Sequence, residues 1–174
     1  MPPVVPLPAD DDLPEEIRET LKKLPPLNVF RMWANAPASF QAFLDIGMSV
    51  LLKSEFDAYK REIAVLRVAH VTRSNYEWTQ HVRVAQGVGV DDETIEKIAC
   101  DGPVTTLDAE GNLLCRVADE ISRDVRLSDE ALEQILARYG TRQATELILC
   151  CAYFNMLSRF LESTRVELEP EAAF

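Results

Sequence analysis

The sequence predicts an all-α fold, a single-domain helical bundle, and three observations carry that prediction. Apolar residues recur at three- and four-residue spacing along almost the whole chain, as they do when one face of each helix is buried. No run alternates apolar and polar residues in the way a half-buried strand would. The 174 residues fit one domain, since domains typically run to ~100–200 residues, and the 47% hydrophobic content is enough for one core.

Residues 1–12, MPPVVPLPADDD, hold four prolines and three consecutive aspartates and read as an extended arm that frays or lies across a neighbouring surface. Residues 13–174 form the helical domain. Its first helix is expected from Pro14 to Leu24, stopped by Pro25 and Pro26, and the next from Pro37, which opens it, to Leu52. Helices follow from Phe56 to Thr72 and from Ser74 to Gln86, the latter closed by Gly87 and Gly89. The spacing predicts further helices from Asp92 to Cys100, Asp108 to Val125, Ser128 to Tyr139 and Thr141 to Val166, with Gly140 separating the last two. The final helix is apolar on nearly every face between Leu147 and Leu157, so it needs cover on all sides, part of which a second subunit could supply.

Charge and cysteine content exclude several classes of function. With 29 acidic against 18 basic side chains the net charge is −11, and a nucleic acid would meet an acidic surface. No basic start followed by an apolar run marks a signal peptide, and the longest apolar run, Leu147 to Phe154, is far short of the ~18 residues of a membrane span. Cys100, Cys115, Cys150 and Cys151 form no C-x-x-C pair. A reduced, cytoplasmic protein with neither membrane nor nucleic-acid partners is expected.

The residues able to carry chemistry lie on two consecutive helices. Glu62 shares a face with Val65, Leu66 and Ala69, a placement that is costly without a partner. His81 is surrounded in the same way by Trp78, Val84, Ala85 and Val88. Both therefore point inward, where they either pair with each other or where Arg61, Arg67 or His70 satisfies Glu62. Ser74 and Glu77 have the S-x-x-E spacing of a capping box. Alternatively Glu77, four residues before His81 and in the first helical turn, orients or tunes the imidazole. Tyr76 and Trp78 are core residues or walls of a pocket, Trp78 offering a flat face to a cyclic substrate. In the last helix Tyr153, Asn155 and Arg159 interrupt the apolar run, and Asn155 bonds either backbone or a ligand. Zinc held by Glu62, Glu77 and His81 is an alternative, but there is no H-E-x-x-H, dinucleotide fingerprint, P-loop or nucleophile elbow.

The stretch from Lys60 to Val90, KREIAVLRVAHVTRSNYEWTQHVRVAQGVGV, resembles the carboxymuconolactone decarboxylase and alkylhydroperoxidase D superfamily. The shared layout is R-E-(I/L)-x-x-L-R-x-A, a short break, Y-E-W-x-x-H, then Gly89 and Val90 before an acidic helix start. Weaker likeness extends to NVFRMWANAP upstream and FNMLSRFLESTRVELEP downstream. The resemblance implies a helical protomer of the alkylhydroperoxidase D type, packed as a homotrimer or homohexamer. In the alkylhydroperoxidase branch a C-x-x-C-x-x-x-H helix and an upstream glutamate form a proton relay to the cysteines. Aligned on His81, those cysteines fall at Ser74 and Glu77 and the glutamate at Glu62, so both thiols are absent. The Y-E-W-x-x-H form is similar to the decarboxylase branch, which uses no cofactor and acts on a lactone carrying a carboxylate.

The resulting expectation is a cofactor-independent lyase or isomerase acting on a small carbonyl or lactone carboxylate. Glu62, His81 and Glu77 would be the proton-transfer groups, and Ser74, Tyr76, Trp78 and Asn155 would shape the substrate site. No metal is required. The competing readings are an alkylhydroperoxidase-like antioxidant enzyme using other cysteines, and a non-catalytic helical binding or assembly protein.

Overall fold

A computed structural model describes residues 4–170. Among them the regular structure is helical: α1 (Glu15–Leu21), α2 (Asn28–Ala34), α3 (Pro37–Met48), α4 (Ala58–Thr72), α5 (Asn75–Gly87), α6 (Asp92–Ile98), α7 (Ala109–Asp124) and α8 (Asp129–Thr164). A 3-10 turn at Asp10–Asp12 precedes α1, and a π-type turn at Ser49–Lys53 follows α3.

Helix α4 is the axis of the molecule, with every residue from Arg61 to Ala69 buried. It packs against α5, α6, α7 and α8, which explains why its apolar stripe widens into full burial. The carboxylate of Asp57 caps its start by accepting from the Lys60 amide at 3.0 Å. Its end is a sharp reversal: Arg73 takes a left-handed conformation (φ 57°, ψ 33°), and the Ser74 amide donates to Ala69 at 2.9 Å. Helix α5 therefore starts at once and runs back along α4, and this hairpin lays His81 over Glu62.

Arg67, fully buried on α4, fixes the opposite side. Its Nε and Nη2 donate to both oxygens of Asp119 at 2.7 and 3.0 Å, and its remaining donors reach the carbonyls of Ile98, Cys100 and Gly102. The expected helix from Pro37 to Leu52 is shorter than its apolar period suggests, because the chain widens into the π-type turn after Met48. Helix α2 lies in the stretch between Pro26 and Pro37 that the sequence reading leaves without an element. The two helices expected around Gly140 are separated there as expected: α8 is two helical segments joined at a kink, where Gly140 has the non-helical φ 70° and ψ 174°. Residues 5–8 lie on α2 and the end of α8: the Val5 amide donates to the Thr164 carbonyl, Arg31 to the Pro8 carbonyl, and Asn35 to the Pro6 carbonyl.

Candidate active site

Glu62, His81 and Glu77 come together as the α4–α5 reversal dictates. One oxygen of Glu62 is 2.7 Å from His81 Nδ1 and the other accepts from Arg61 Nε at 3.0 Å, so both are satisfied. Of the three candidate basic partners, Arg61 is the one used. Arg67 is committed to Asp119, and His70 lies 3.8 Å from Asp101 and edge-on to Trp78. The other imidazole nitrogen, Nε2, is 3.6 Å from Glu77 Oε2, too long for a hydrogen bond but close enough for strong coupling. The imidazole thus stands between two carboxylates, edge-on to the Phe154 ring at 4.7 Å.

Burial and charge push these groups apart. Burial raises the Glu77 carboxyl to about 7, helped by Glu62 and opposed by the imidazole. Burial also works against ionised Glu62, but the hydrogen bond and charge of His81, with Arg61, outweigh it and hold that carboxyl below the usual range. For His81 burial favours the neutral ring, yet the bond to Glu62 and the two carboxylate charges raise its pKa above the ordinary value. One carboxylate is therefore fixed as an anion and the other is poised to exchange a proton near neutrality.

His81, Glu77, Tyr76 and Arg61 line a cavity of about 370 Å³ whose other walls are largely hydrocarbon from α3, the π-type turn and α8. Gln80 and Tyr153 also reach it. Glu62 does not line it; it is fully buried behind His81. Glu62 can thus act on a bound molecule only through its two partners at the wall, the imidazole and the Arg61 guanidinium. Tyr76 is held at the wall by its hydroxyl, which donates to Glu169 at 2.5 Å and accepts from the Val29 amide at 3.1 Å. Glu169 also accepts from Gln80 and from the Asn28 amide, tying its segment to α5 and the start of α2.

Three expected substrate contacts are absent from the cavity walls. Ser74 is buried behind the reversal, its hydroxyl without a hydrogen-bond partner. Trp78 faces the opposite side of α5, toward His70. Asn155 is turned toward Arg159, whose Nε donates to its Oδ1 at 2.7 Å. The capping box also fails: neither the Ser74 hydroxyl nor Glu77 Oε2 makes a hydrogen bond, because Glu77 turns inward to the imidazole. Tyr153 was noticed only as a polar break in an apolar helix. Arg61 was weighed only as a partner for Glu62. Gln80 carried no signal, since an isolated glutamine on a helix has no pattern. The zinc alternative lacks a ligand set: among the described residues no group of three or more His, Cys, Asp or Glu side chains could hold a metal.

Comparison with known proteins fits this geometry. Residues 37–102 match the model of the carboxymuconolactone decarboxylase family, a span that contains Glu62, Glu77 and His81. Residues 37–102 are thus similar to the carboxymuconolactone decarboxylase family, and the chain has an alkylhydroperoxidase D-like fold. The fold is shared with an uncharacterized peroxidase-related protein from Ralstonia eutropha JMP134, described as an alkylhydroperoxidase AhpD core (TM-score 0.81, 17% identity, 95% of this chain and 92% of that one). A peroxidase-related protein from Silicibacter sp. TM1040 is similarly related (TM-score 0.78, 21% identity, 98% and 94%). So is a protein of unknown function from Agrobacterium tumefaciens, described as a candidate antioxidant defence protein (TM-score 0.67, 19% identity, 80% and 97%). No curated protein matches the sequence. The chain carries Ser74 and Glu77 at the two positions where the resemblance places thiols.

Proposed function

We propose that the protein is a cofactor-independent lyase or isomerase of decarboxylase type, acting in the cytoplasm on a carbonyl compound through proton transfer by Glu77 and His81. The observation that carries this reading is the imidazole held between an ionised carboxylate at 2.7 Å and a carboxyl poised near neutrality at 3.6 Å, at the wall of an apolar cavity. In a decarboxylation the carbon–carbon bond to the carboxylate breaks, CO2 leaves, and the electron pair moves onto the neighbouring carbonyl as an enolate. The His81 imidazolium, kept charged by Glu62, stabilises that oxygen. Glu77 in its neutral form gives its proton to carbon and recovers one from solvent, which balances the reaction without a redox partner. An isomerase would use the same two groups, Glu77 returning to a different carbon the proton it first removed.

The structural neighbours' descriptions suggest peroxidase chemistry, which needs an accessible, ionisable thiol. No cysteine lines the cavity. Burial pushes Cys115 and Cys151 up to about 12 and raises Cys150 well above its usual value. The test is a panel of lactone carboxylates and β-keto acids, read by CO2 release and by deuterium incorporation from D2O, with an organic hydroperoxide assay beside it. Turnover that persists when Cys100, Cys115, Cys150 and Cys151 are all replaced, and falls in His81→Gln and Glu77→Gln, is expected. Hydroperoxide consumption that disappears with the cysteines would overturn the reading.

A further inference from the structure

Arg61 presents an unpaired guanidinium end to the cavity. The side chain is only 8% exposed, its Nε is taken by Glu62, and its two terminal nitrogens make no hydrogen bond to another described residue. Those nitrogens are not among the fully buried unpartnered atoms and so face the open space of the cavity, and their four donors form a planar fork suited to a carboxylate. We propose that the cavity takes an amphipathic monocarboxylate, its carboxylate on the Arg61 guanidinium and its hydrocarbon body against Phe43, Leu44, Leu51, Leu52 and Leu157.

Two further observations narrow the ligand to that class. When Glu77 holds its proton, Arg61 and His81 carry two positive charges against the single negative charge of Glu62, so one added anion neutralises the cluster. The rest of the wall offers little to a second charge or to a run of hydroxyls. Apart from Tyr76, Gln80 and Tyr153 it is built mainly from leucine, phenylalanine, valine and methionine side chains, and polar ligand groups against those would lose water without gaining partners. The volume of about 370 Å³ also exceeds what acetate-sized anions fill, so much of the binding must come from the apolar body. Tyr153 adds one more polar contact: its hydroxyl also makes no hydrogen bond among the described residues and lies at the same wall.

The proposal rests on the cavity being where substrate meets His81 and Glu77, and it is tested by binding alone. Calorimetric titration of the full-length protein with octanoate, octanamide and butyrate is the experiment. Octanoate is expected to bind at least tenfold more tightly than octanamide, and also more tightly than butyrate, affinity rising by up to roughly fourfold per methylene. Arg61→Gln should bring octanoate down to the level of octanamide, while Arg61→Lys should retain part of the preference. Equal affinity for acid and amide, no heat with any probe at millimolar concentration, or unchanged octanoate affinity in a folded Arg61→Gln variant would each overturn it. If Arg61→Gln does not fold, the acid–amide comparison on the unaltered protein decides. Arg61-dependent octanoate binding without turnover of any carbonyl compound would sink the proton-transfer reading and leave this one standing; turnover indifferent to a ligand carboxylate would do the reverse.

Discussion

Glu62 and Glu77 flank the same imidazole, yet the fold moves them in opposite directions, and that divergence gives each a distinct signature. With Glu77 raised to about 7 and acting as the acid, kcat/KM should fall as pH rises through that value. A Glu77→Gln variant should lose most of its rate, by roughly 10²–10⁴, along with that descending limb. Stability has its own sign. A carboxyl raised from 4.5 to about 7 binds its proton more tightly folded than unfolded, so its contribution declines as pH climbs across that interval, by on the order of 3 kcal/mol. Glu77→Gln removes the penalty and should unfold at or above the wild-type temperature at pH 8. Glu62 is lowered, so its contribution is present at neutral pH and lost as pH drops through its folded value. Glu62→Gln should therefore unfold earlier at pH 8 and, by leaving the imidazole uncharged, slow the reaction. Because Glu62 acts through His81, adding Glu62→Gln to His81→Gln should cost little more, whereas independent roles would multiply the losses. The inward placement of Glu62 and His81 was legible in the sequence from apolar neighbours at helical spacing. The inward turn of Glu77 was not decided there, since S-x-x-E serves a cap equally well and only the packed environment selects between them.

At the scale of elements, the sequence revealed the helices with several turns and their breaks at proline and glycine, but not the features that shape the cavity. Helix α2 and the π-type turn depend on tertiary packing, and both contribute cavity wall through Val29, Phe30, Leu51 and Leu52. Gly47 shows the same limit. Inside α3 it reads as a weak point of a helix, yet a Cβ there would lie 2.7 Å from the Tyr153 hydroxyl. Tyr153 cannot easily retreat, being packed against the Phe43 ring at 5.6 Å and the Phe154 ring at 5.2 Å. Gly47→Ala should therefore destabilise by about 1–3 kcal/mol despite the better helix propensity of alanine. In a Tyr153→Phe background the clashing atom is gone and the next, Cζ, is at 3.5 Å, an ordinary contact. There the same Gly47→Ala change should become neutral or stabilising. Unfolding midpoints of the two single variants and the double variant measure this reversal; a Gly47→Ala penalty unchanged by Tyr153→Phe would mean that α3 itself, not the tyrosine, requires the glycine.

Over the whole molecule, the core around α4 closes within one protomer, but the surface does not. Helix α8 buries Leu147, Cys150, Cys151, Phe154 and Leu157 while leaving Leu149 half exposed and Met156 44% exposed, seven residues apart on one face. On α3 and the π-type turn, Ile46, Met48 and Leu52 are also exposed, Leu52 to 70%, and Met48 and Leu52 belong to the cavity wall. The apolar periodicity that predicted a helix needing cover on all sides is thus only partly answered by the chain's own packing. A net charge of −11 opposes association through long-range repulsion, but that repulsion is screened within ~10 Å at 0.1 M salt, whereas apolar burial is not. We therefore expect self-association, as three or six copies if the superfamily resemblance extends to assembly, with cavity-wall residues close to a subunit boundary. Light scattering at micromolar concentration should give a mass that is a multiple of 19.6 kDa and grows no smaller in 0.5 M salt. Leu149→Glu with Met156→Glu should reduce that mass while leaving the helical circular dichroism of the protomer intact, because both side chains sit outside the core. A 19.6 kDa particle from the unaltered chain would show that these faces tolerate water and that the cavity is complete in a single copy.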